Sequence, residues 1–144
     1  MRATSSGLYQ LVIRLGRRQN IDVGHLGCFV FPSGYYVYTG SAKRRLESRL
    51  ARHLRKEKRM RWHIDYLLGQ AKIVEVKRYH GGRHSECELS RRVGALPGSR
   101  VVAPGFGSSD CGCSTHLFCF RQNPARELGP KGESRSRFEG RSFD

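Results

Sequence analysis

Apolar positions recur with period two near the start of the chain. Tyr9, Leu11, Ile13 and Leu15 fall on one face, Gln10 and Arg14 on the other. With β-branched residues among them, the pattern predicts a half-buried strand over 7–15. A polar turn over 16–20 follows, then a short extended piece at Ile21, Asp22 and Val23, and a loop at 25–27. A second brief strand over 28–31 is stopped by Pro32, Ser33 and Gly34, a turn signal. The next strand, 35–38, puts Tyr36 and Tyr38 on one face and Tyr35 and Val37 on the other, with Gly40 as a hinge after it. From about Lys43 the period lengthens. Leu46, Leu50 and Leu54 at i, i+4 and i+8 make the apolar stripe of a helix, read here as a basic helix over 43–61.

A short helix over 62–68 comes next, with Gly69 as its C-cap. A strand over 71–78 places Val74 and Val76 opposite Ile73, Glu75 and Lys77. After a loop at 80–84, Ser85 opens a helix that ends near Gly94, and Glu88 three residues on completes a capping box. A turn at 97–99, an extended piece at 101–103 and a glycine-rich loop at 105–110 lead into an alternating last strand at 115–120. Residues 1–122 read as one domain. Beyond Gln122 apolar residues are too few to offset the entropy of ordering, so 123–144 is expected to be a disordered tail.

Charge changes the picture. The 144 residues carry a formal net charge of +15, a field that favours polyanions, nucleic acid before an anionic membrane. Between Lys43 and Arg61 stand ten Lys or Arg against two Glu, so more than half of the excess lies in one segment. Arg45, Arg49 and Arg52 with His53 share a helical face beside the leucine stripe. No apolar run is long enough to span a bilayer, and the first residues lack the apolar core of a secretory signal. Five cysteines without an export signal suit reduced thiols in a cytosol. The expected location is cytoplasmic.

With the chain laid out, Gly7-Leu8-Tyr9 and Tyr38-Thr39-Gly40 resemble the two halves of the GIY-YIG nuclease signature. Gly40-Ser41-Ala42 and the run from Arg49 to His53 are similar to the helix that follows it in homing endonucleases and the excision-repair incision nuclease. Trp62 to Leu67, Glu86 to Leu89, and the loop from Gly105 through Phe118 resemble a poorly characterised stand-alone subgroup of that superfamily. The resemblance covers about residues 7–120. It implies a mixed α+β (α/β) fold, a small central antiparallel sheet flanked by helices, and metal-dependent hydrolysis of DNA, with magnesium or manganese as cofactor. Some relatives are joined to repair glycosylase domains, which hints at DNA-repair partners. By position, Tyr9 would be the general base or orient the water, Tyr38 would support it by hydrogen bonding, Arg49 would hold the scissile phosphate, His53 would assist, and Glu86 would bind the metal. Gly40, Arg45, Arg52 and Lys56 would contact substrate.

Elementary chemistry agrees with those roles. A phenol is a poor base unless cations lower its pKa, and the helix offers Arg45, Arg49 and Arg52. An arginine fork meets two phosphate oxygens at once, and one carboxylate with waters and substrate oxygens suffices for magnesium. In typical members the tyrosine motifs lie about ten residues apart. Here Tyr9 and Tyr38 are 29 apart, which requires an inserted extended segment over 20–33. The rival Gly27-Cys28-Phe29 would put Phe29 where a hydroxyl is needed. Thr39 replaces the usual isoleucine. For the metal, Glu88 and Asp65 compete with Glu86, but Glu88 already serves the cap.

Tyr35, Tyr36, Trp62 and His63 read as packing residues. Cys111, Cys113 and His116, with Cys87 or His84 as a fourth ligand, sketch a zinc site, yet Cys-x-Cys is a poor chelate, so structural zinc is not expected. The amides of loop 105–110 could instead cradle a phosphate. The leading expectation is a DNA endonuclease. Its alternative is a non-catalytic nucleic-acid-binding module built on the basic helix, and a third is a zinc-stabilised interaction domain.

Overall fold

The structure is a computed structural model that describes residues 7–42, 44–56, 58–79, 85–109 and 111–128. Expectations that fall on Lys43, the 80–84 loop with His84, and Asp110 lie outside the described residues. Chain order is β1 (Gly7–Leu15), β2 (Gln19–Asp22), β3 (Cys28–Phe31), β4 (Gly34–Ala42), α1 (Leu46–Leu54), α2 (His63–Leu68), β5 (Lys72–Tyr79), α3 (Glu86–Gly94) and β6 (Leu117–Phe120). One-turn 3-10 helices sit at Gly24–Leu26 and Ala125–Glu127. The fold is the expected mixed α+β. Four antiparallel strands run in the order β5-β1-β4-β6, and β2 pairs with β3 in a separate hairpin.

β1 is an inner strand, and its alternation sorts the core into two. Tyr9, Leu11, Ile13 and Leu15 face α1, α2, the hairpin and the loop at Ala103 and Phe106. Val12 faces the other way with Val37, Val93 of α3, Phe118 and Phe120. Both faces are therefore covered along most of β1; Arg14 is exposed as expected, but Gln10 is not. Gln10 is fully buried, donating to Thr39 Oγ1 at 3.1 Å and accepting from the Tyr79 hydroxyl at 2.8 Å. Such pairing is what a buried amide requires.

The inserted segment is the β2–β3 hairpin, which lays Ile21, Val23 and Phe31 against the first core. A bulge in the β1–β5 ladder corrects the alternation expected for β5. Val12 pairs with Glu75 but Ile13 with Ile73, so Ile73 and Val76 both reach the first core while Val74 packs on the second. An extra residue in one strand resets which face the rest present.

Four other expectations are corrected. β4 runs on to Ala42, so Gly40 lies within a strand and is no hinge. The basic helix is α1 alone, Leu46–Leu54, not 43–61. Its stripe ends because position 58 is Lys58, whose ammonium accepts no apolar contact but donates to the carbonyls of Arg52, His53 and Arg55 at 3.2, 2.8 and 2.9 Å. The ammonium thus caps the C-terminal end of α1, where carbonyls lack the next helical turn as partner. The piece at 101–103 is no strand; a single bridge joins Arg100 to Cys119. Lastly, the chain beyond Gln122 does not leave the domain at once. Ala125 and Leu128 are buried against the second core, and the rest of the expected tail, 129–144, lies outside the described residues.

Leu128→Ala should therefore lower the unfolding free energy by about 2–4 kcal/mol, the cost of a cavity in a packed core. Urea denaturation measures it; a change within about 0.5 kcal/mol, the size of a surface substitution, would show that this segment is not part of the fold.

Candidate active site

Pairing of β1 with β4 sets Tyr9 opposite Gly40 and Leu11 opposite Tyr38. A methyl group on Gly40 would come within 2.6 Å of the Tyr9 ring, so the phenol lies in the space that glycine leaves. Its hydroxyl is 2.8 Å from Nε2 of His53, near the end of α1. A phenol O–H is more acidic than a neutral imidazole N–H, so Tyr9 donates. The Tyr38 ring stands 6.4 Å from that of Tyr9. The hydrogen bond expected from Tyr38 to Tyr9 is therefore replaced by one from Tyr9 to His53. Phe29, of the rival motif, sits in the separate hairpin.

One turn earlier on α1, Arg49 donates to the Ser41 carbonyl at 2.7 Å and lies 4.7 Å from the Trp62 ring. The Ser41 hydroxyl donates to Glu86 Oε1 at 2.8 Å. The other Glu86 oxygen is 2.9 Å from His116 Nδ1. Tyr9, Tyr38, Ser41, Arg49 and Glu86 thus line one cleft of about 270 Å³, together with Arg61, Trp62, His63, Gly107 and Ser109. Tyr9, Tyr38, Arg49 and Glu86 converge there as the sequence led one to expect.

Other expected contacts do not. Arg52 forms a two-pronged ion pair with buried Asp65 at 2.9 and 3.0 Å and stacks 4.4 Å from Trp62. Asp65 also accepts the amides of Arg61 and Trp62. Its carboxylate is spent on the α1–α2 connection, which removes it as a metal ligand. The expected capping box is half made: the Glu88 amide donates to Ser85 Oγ at 3.0 Å, but its carboxylate lies 3.6 Å from Arg92. Arg45 begins α1 in the left-handed conformation at φ 60 and, like Lys56, is exposed and absent from the cleft lining. Gly40 acts by making room rather than by touching substrate.

Four amides of the glycine-rich loop, Gly105 to Ser108, are taken up within the protein rather than left to cradle an anion. Those of Gly105, Phe106 and Ser108 bond to carbonyls of Ser114, Ala103 and Gly105, and that of Gly107 donates to His63 Nδ1 at 2.9 Å. Gly107 takes a left-handed φ of 71, and a methyl there would meet the Tyr38 ring at 2.9 Å.

Trp62 and His63, read from the sequence as packing residues, line the cleft. His63 accepts at Nδ1, so its hydrogen is on Nε2, a donor. Trp62 gathers three guanidinium groups, Arg61 at 5.1 Å being the third; such faces attract cations. Their signal was the unusual pair Trp62-His63 set directly after a basic run.

Residues 8–135 match a protein family described as Domain of unknown function DUF123. The chain belongs to this family. Neither curated proteins nor solved structures gave a match. The matched span of DUF123 takes in every residue that lines the cleft. Among the described residues of this DUF123 chain, no helix is long and apolar enough to cross a membrane.

Burial sets the protonation states. Desolvation pushes the Tyr9 phenol up to about 12, and Arg49 beside it offsets this only in part. The cations thus fail to lower the phenol below its ordinary value, contrary to expectation. Tyr38 is raised well above its usual range, again by burial. Burial, helped by Lys58, Arg52 and Arg49, brings His53 down to about 4 against the pull of Asp65. Burial acts to raise Glu86, but hydrogen bonds from His116 and Ser41 win and hold it below the ordinary carboxylate range. The site is a neutral phenol on a neutral imidazole, facing an arginine and an ionised glutamate.

His53 makes stability depend on pH. Its folded value near 4 lies below the ordinary value of 6.5, so between those limits the unfolded chain binds more protons. Stability is complete above about 6.5 and declines as pH falls toward 4, by on the order of 2–4 kcal/mol. Chemical denaturation at pH 7.0 and 4.5 should give a smaller difference for His53→Gln than for the parent; equal slopes would contradict the burial argument.

Proposed function

We propose that this protein is a divalent-metal-dependent endonuclease that hydrolyses phosphodiester bonds of DNA. The observation that carries the reading is the convergence of Tyr9, Arg49 and Glu86, from β1, α1 and α3, on one open cleft. The net charge of +15 supports a polyanionic substrate.

The residues fit the implied cation. Glu86 is ionised, about 30 % exposed at its side chain, and lines the cleft, and each of its oxygens keeps acceptor capacity beyond its one hydrogen bond. Hard oxygen donors of this kind, completed by waters and substrate oxygens, suit magnesium or manganese. Bound there, the cation would supply charge neutralisation at the phosphoryl oxygens and the leaving oxygen.

Arg49 donates to the scissile phosphate and stays aimed by its bond to the Ser41 carbonyl. Tyr9 accepts a proton from the attacking water while its own passes to His53 Nε2, so no free phenolate is needed at neutral pH. The water oxygen forms a bond to phosphorus, the bond to the leaving deoxyribose oxygen breaks, that alkoxide takes a proton from solvent, and His53, a weak base near 4, releases its proton to solvent. The products are a phosphate monoester and an alcohol. His63, a donor at Nε2, and Arg61 sit where the flanking backbone would run. DNA repair or recombination inside the cell is the setting this activity would serve.

One observation favours a second reading. A phenol with a pKa of about 12 is costly to ionise, and without the relay through His53 the same cleft would bind a DNA backbone and not cut it.

Nicking of supercoiled plasmid separates the two. Magnesium added to metal-free buffer should switch cleavage on. Arg49→Ala and Glu86→Ala should each reduce the rate about a hundredfold, the loss of roughly 3 kcal/mol of charge stabilisation. Tyr9→Phe should cost about 10²–10⁴-fold. Binding without cleavage of duplex, branched or single-stranded DNA would establish the second reading.

A further inference from the structure

Behind the cleft, the stretch 95–116 between α3 and β6 contains no helix or strand among its described residues, yet it carries Phe106 into the core and Ser109 into the cleft wall. Something must hold it. Cys87 in the first turn of α3, Cys111 and Cys113 on that stretch, and His116 just before β6 bring three sulfurs and an imidazole nitrogen together, all within 4.8 Å of one another. We propose that these four residues bind one zinc ion as a closed, structural Cys3His site. The proposal stands whether or not the cleft cuts DNA.

Zinc takes four such ligands in a tetrahedron at about 2.3 Å for sulfur and about 2.0–2.1 Å for nitrogen. The edges of that tetrahedron are therefore about 3.5 Å from nitrogen to sulfur and about 3.8 Å between sulfurs. His116 Nε2 lies 3.5 Å from the Cys111 sulfur and 3.8 Å from that of Cys87, already close to the lengths of such edges.

The ring orientation is right as well. His116 Nδ1 is 2.9 Å from Glu86 Oε2, so Nδ1 carries the donated hydrogen and Nε2 is the nitrogen turned to the sulfurs. A metal-bound histidine that donates its other N–H to a carboxylate is the usual outer-shell arrangement. Cys87 comes from the first turn of α3, a nine-residue helix that carries it to the loop cysteines. With four protein ligands there is no open position for a substrate, which makes the role structural. The poor Cys111-x-Cys113 chelate is completed from elsewhere, by Cys113-x-x-His116 on one side and by Cys87 from a distant helix.

Binding requires the three thiols and the His116 imidazolium to lose their protons: the zinc ion forms three sulfur bonds and one nitrogen bond, and the released protons pass to solvent. Uptake should thus weaken as pH falls. The site would also reach the cleft, because the imidazole fixed on zinc holds Glu86 by its second oxygen. His116 is a positioning residue in this sense.

The test is metal analysis of the full chain purified without chelator. Elemental analysis should give about one zinc per chain, and cobalt exchanged for it should show thiolate charge-transfer absorption with the strong visible bands of a tetrahedral site. Cys113→Ser should lose the metal, while Cys28→Ser, at an exposed cysteine outside the cluster, should retain it. Glu86→Gln should weaken zinc binding about 10–100-fold with four ligands intact, a readout independent of nicking. A chain that takes up neither zinc nor cobalt, or whose clustered thiols pair as a disulfide instead, would overturn the proposal. So would metal retained in full by Cys113→Ser.

Discussion

The absence of a side chain at Gly40 is the constraint from which the site is built. Because β1 and β4 pair in register, Tyr9 lies directly opposite this glycine and its ring takes the vacant volume. Any larger residue would push the ring away from His53. A strand pair fixes the position of a phenol far more firmly than a loop would, and here it delivers the hydroxyl to a helix that also carries Arg49. The same pairing sets Tyr38 one alternation further along, and Phe106 and Gly107 close over it from the glycine-rich stretch.

Two polar chains tie the wall of the cleft together. One runs from Arg49 through Ser41 to Glu86 and on to His116. The other runs from Trp62 and Arg52 to Asp65, which anchors the start of α2. Each buried charge in them is matched, as Asp65 is by Arg52 and two amides, and breaking such a pair leaves an uncompensated charge. Glu86 is the junction. Its ionised state is kept by neighbours behind the cleft, which leaves its open side for a cation.

Much of this was legible in the sequence because it follows from period and spacing. Alternation from Tyr9 to Leu15 gave β1 and its core face, the leucines at 46, 50 and 54 gave α1, and Ser85 with Glu88 gave the start of α3. The four residues Tyr9, Tyr38, Arg49 and Glu86 were picked out as one site and do line one cleft. What failed was nonlocal. That Gln10 would be buried depends on α3 and on Ala125 and Leu128 covering the second face, which no window around Gln10 reveals. The length of α1 was overread because charge continued past Leu54 when the apolar stripe did not. The raised pKa of Tyr9 depends on burial under α1 and α2, whereas the sequence displayed only the nearby cations. The sequence offered Cys87 or His84 as a fourth ligand, and that Cys87, 24 residues before Cys111, reaches the cluster follows only from the packing of α3 beside the last strand.

The central claim is that a DNA phosphate and a divalent cation meet between Arg49 and Glu86, beside Tyr9. The most direct measurement is a crystal structure of Tyr9→Phe bound to a short DNA duplex with manganese, located by its anomalous scattering. A manganese peak within bonding distance of Glu86, next to a phosphate held by Arg49, is the expected result. A phosphate backbone that instead follows exposed Arg55 and Lys56, with no manganese at Glu86, would contradict it.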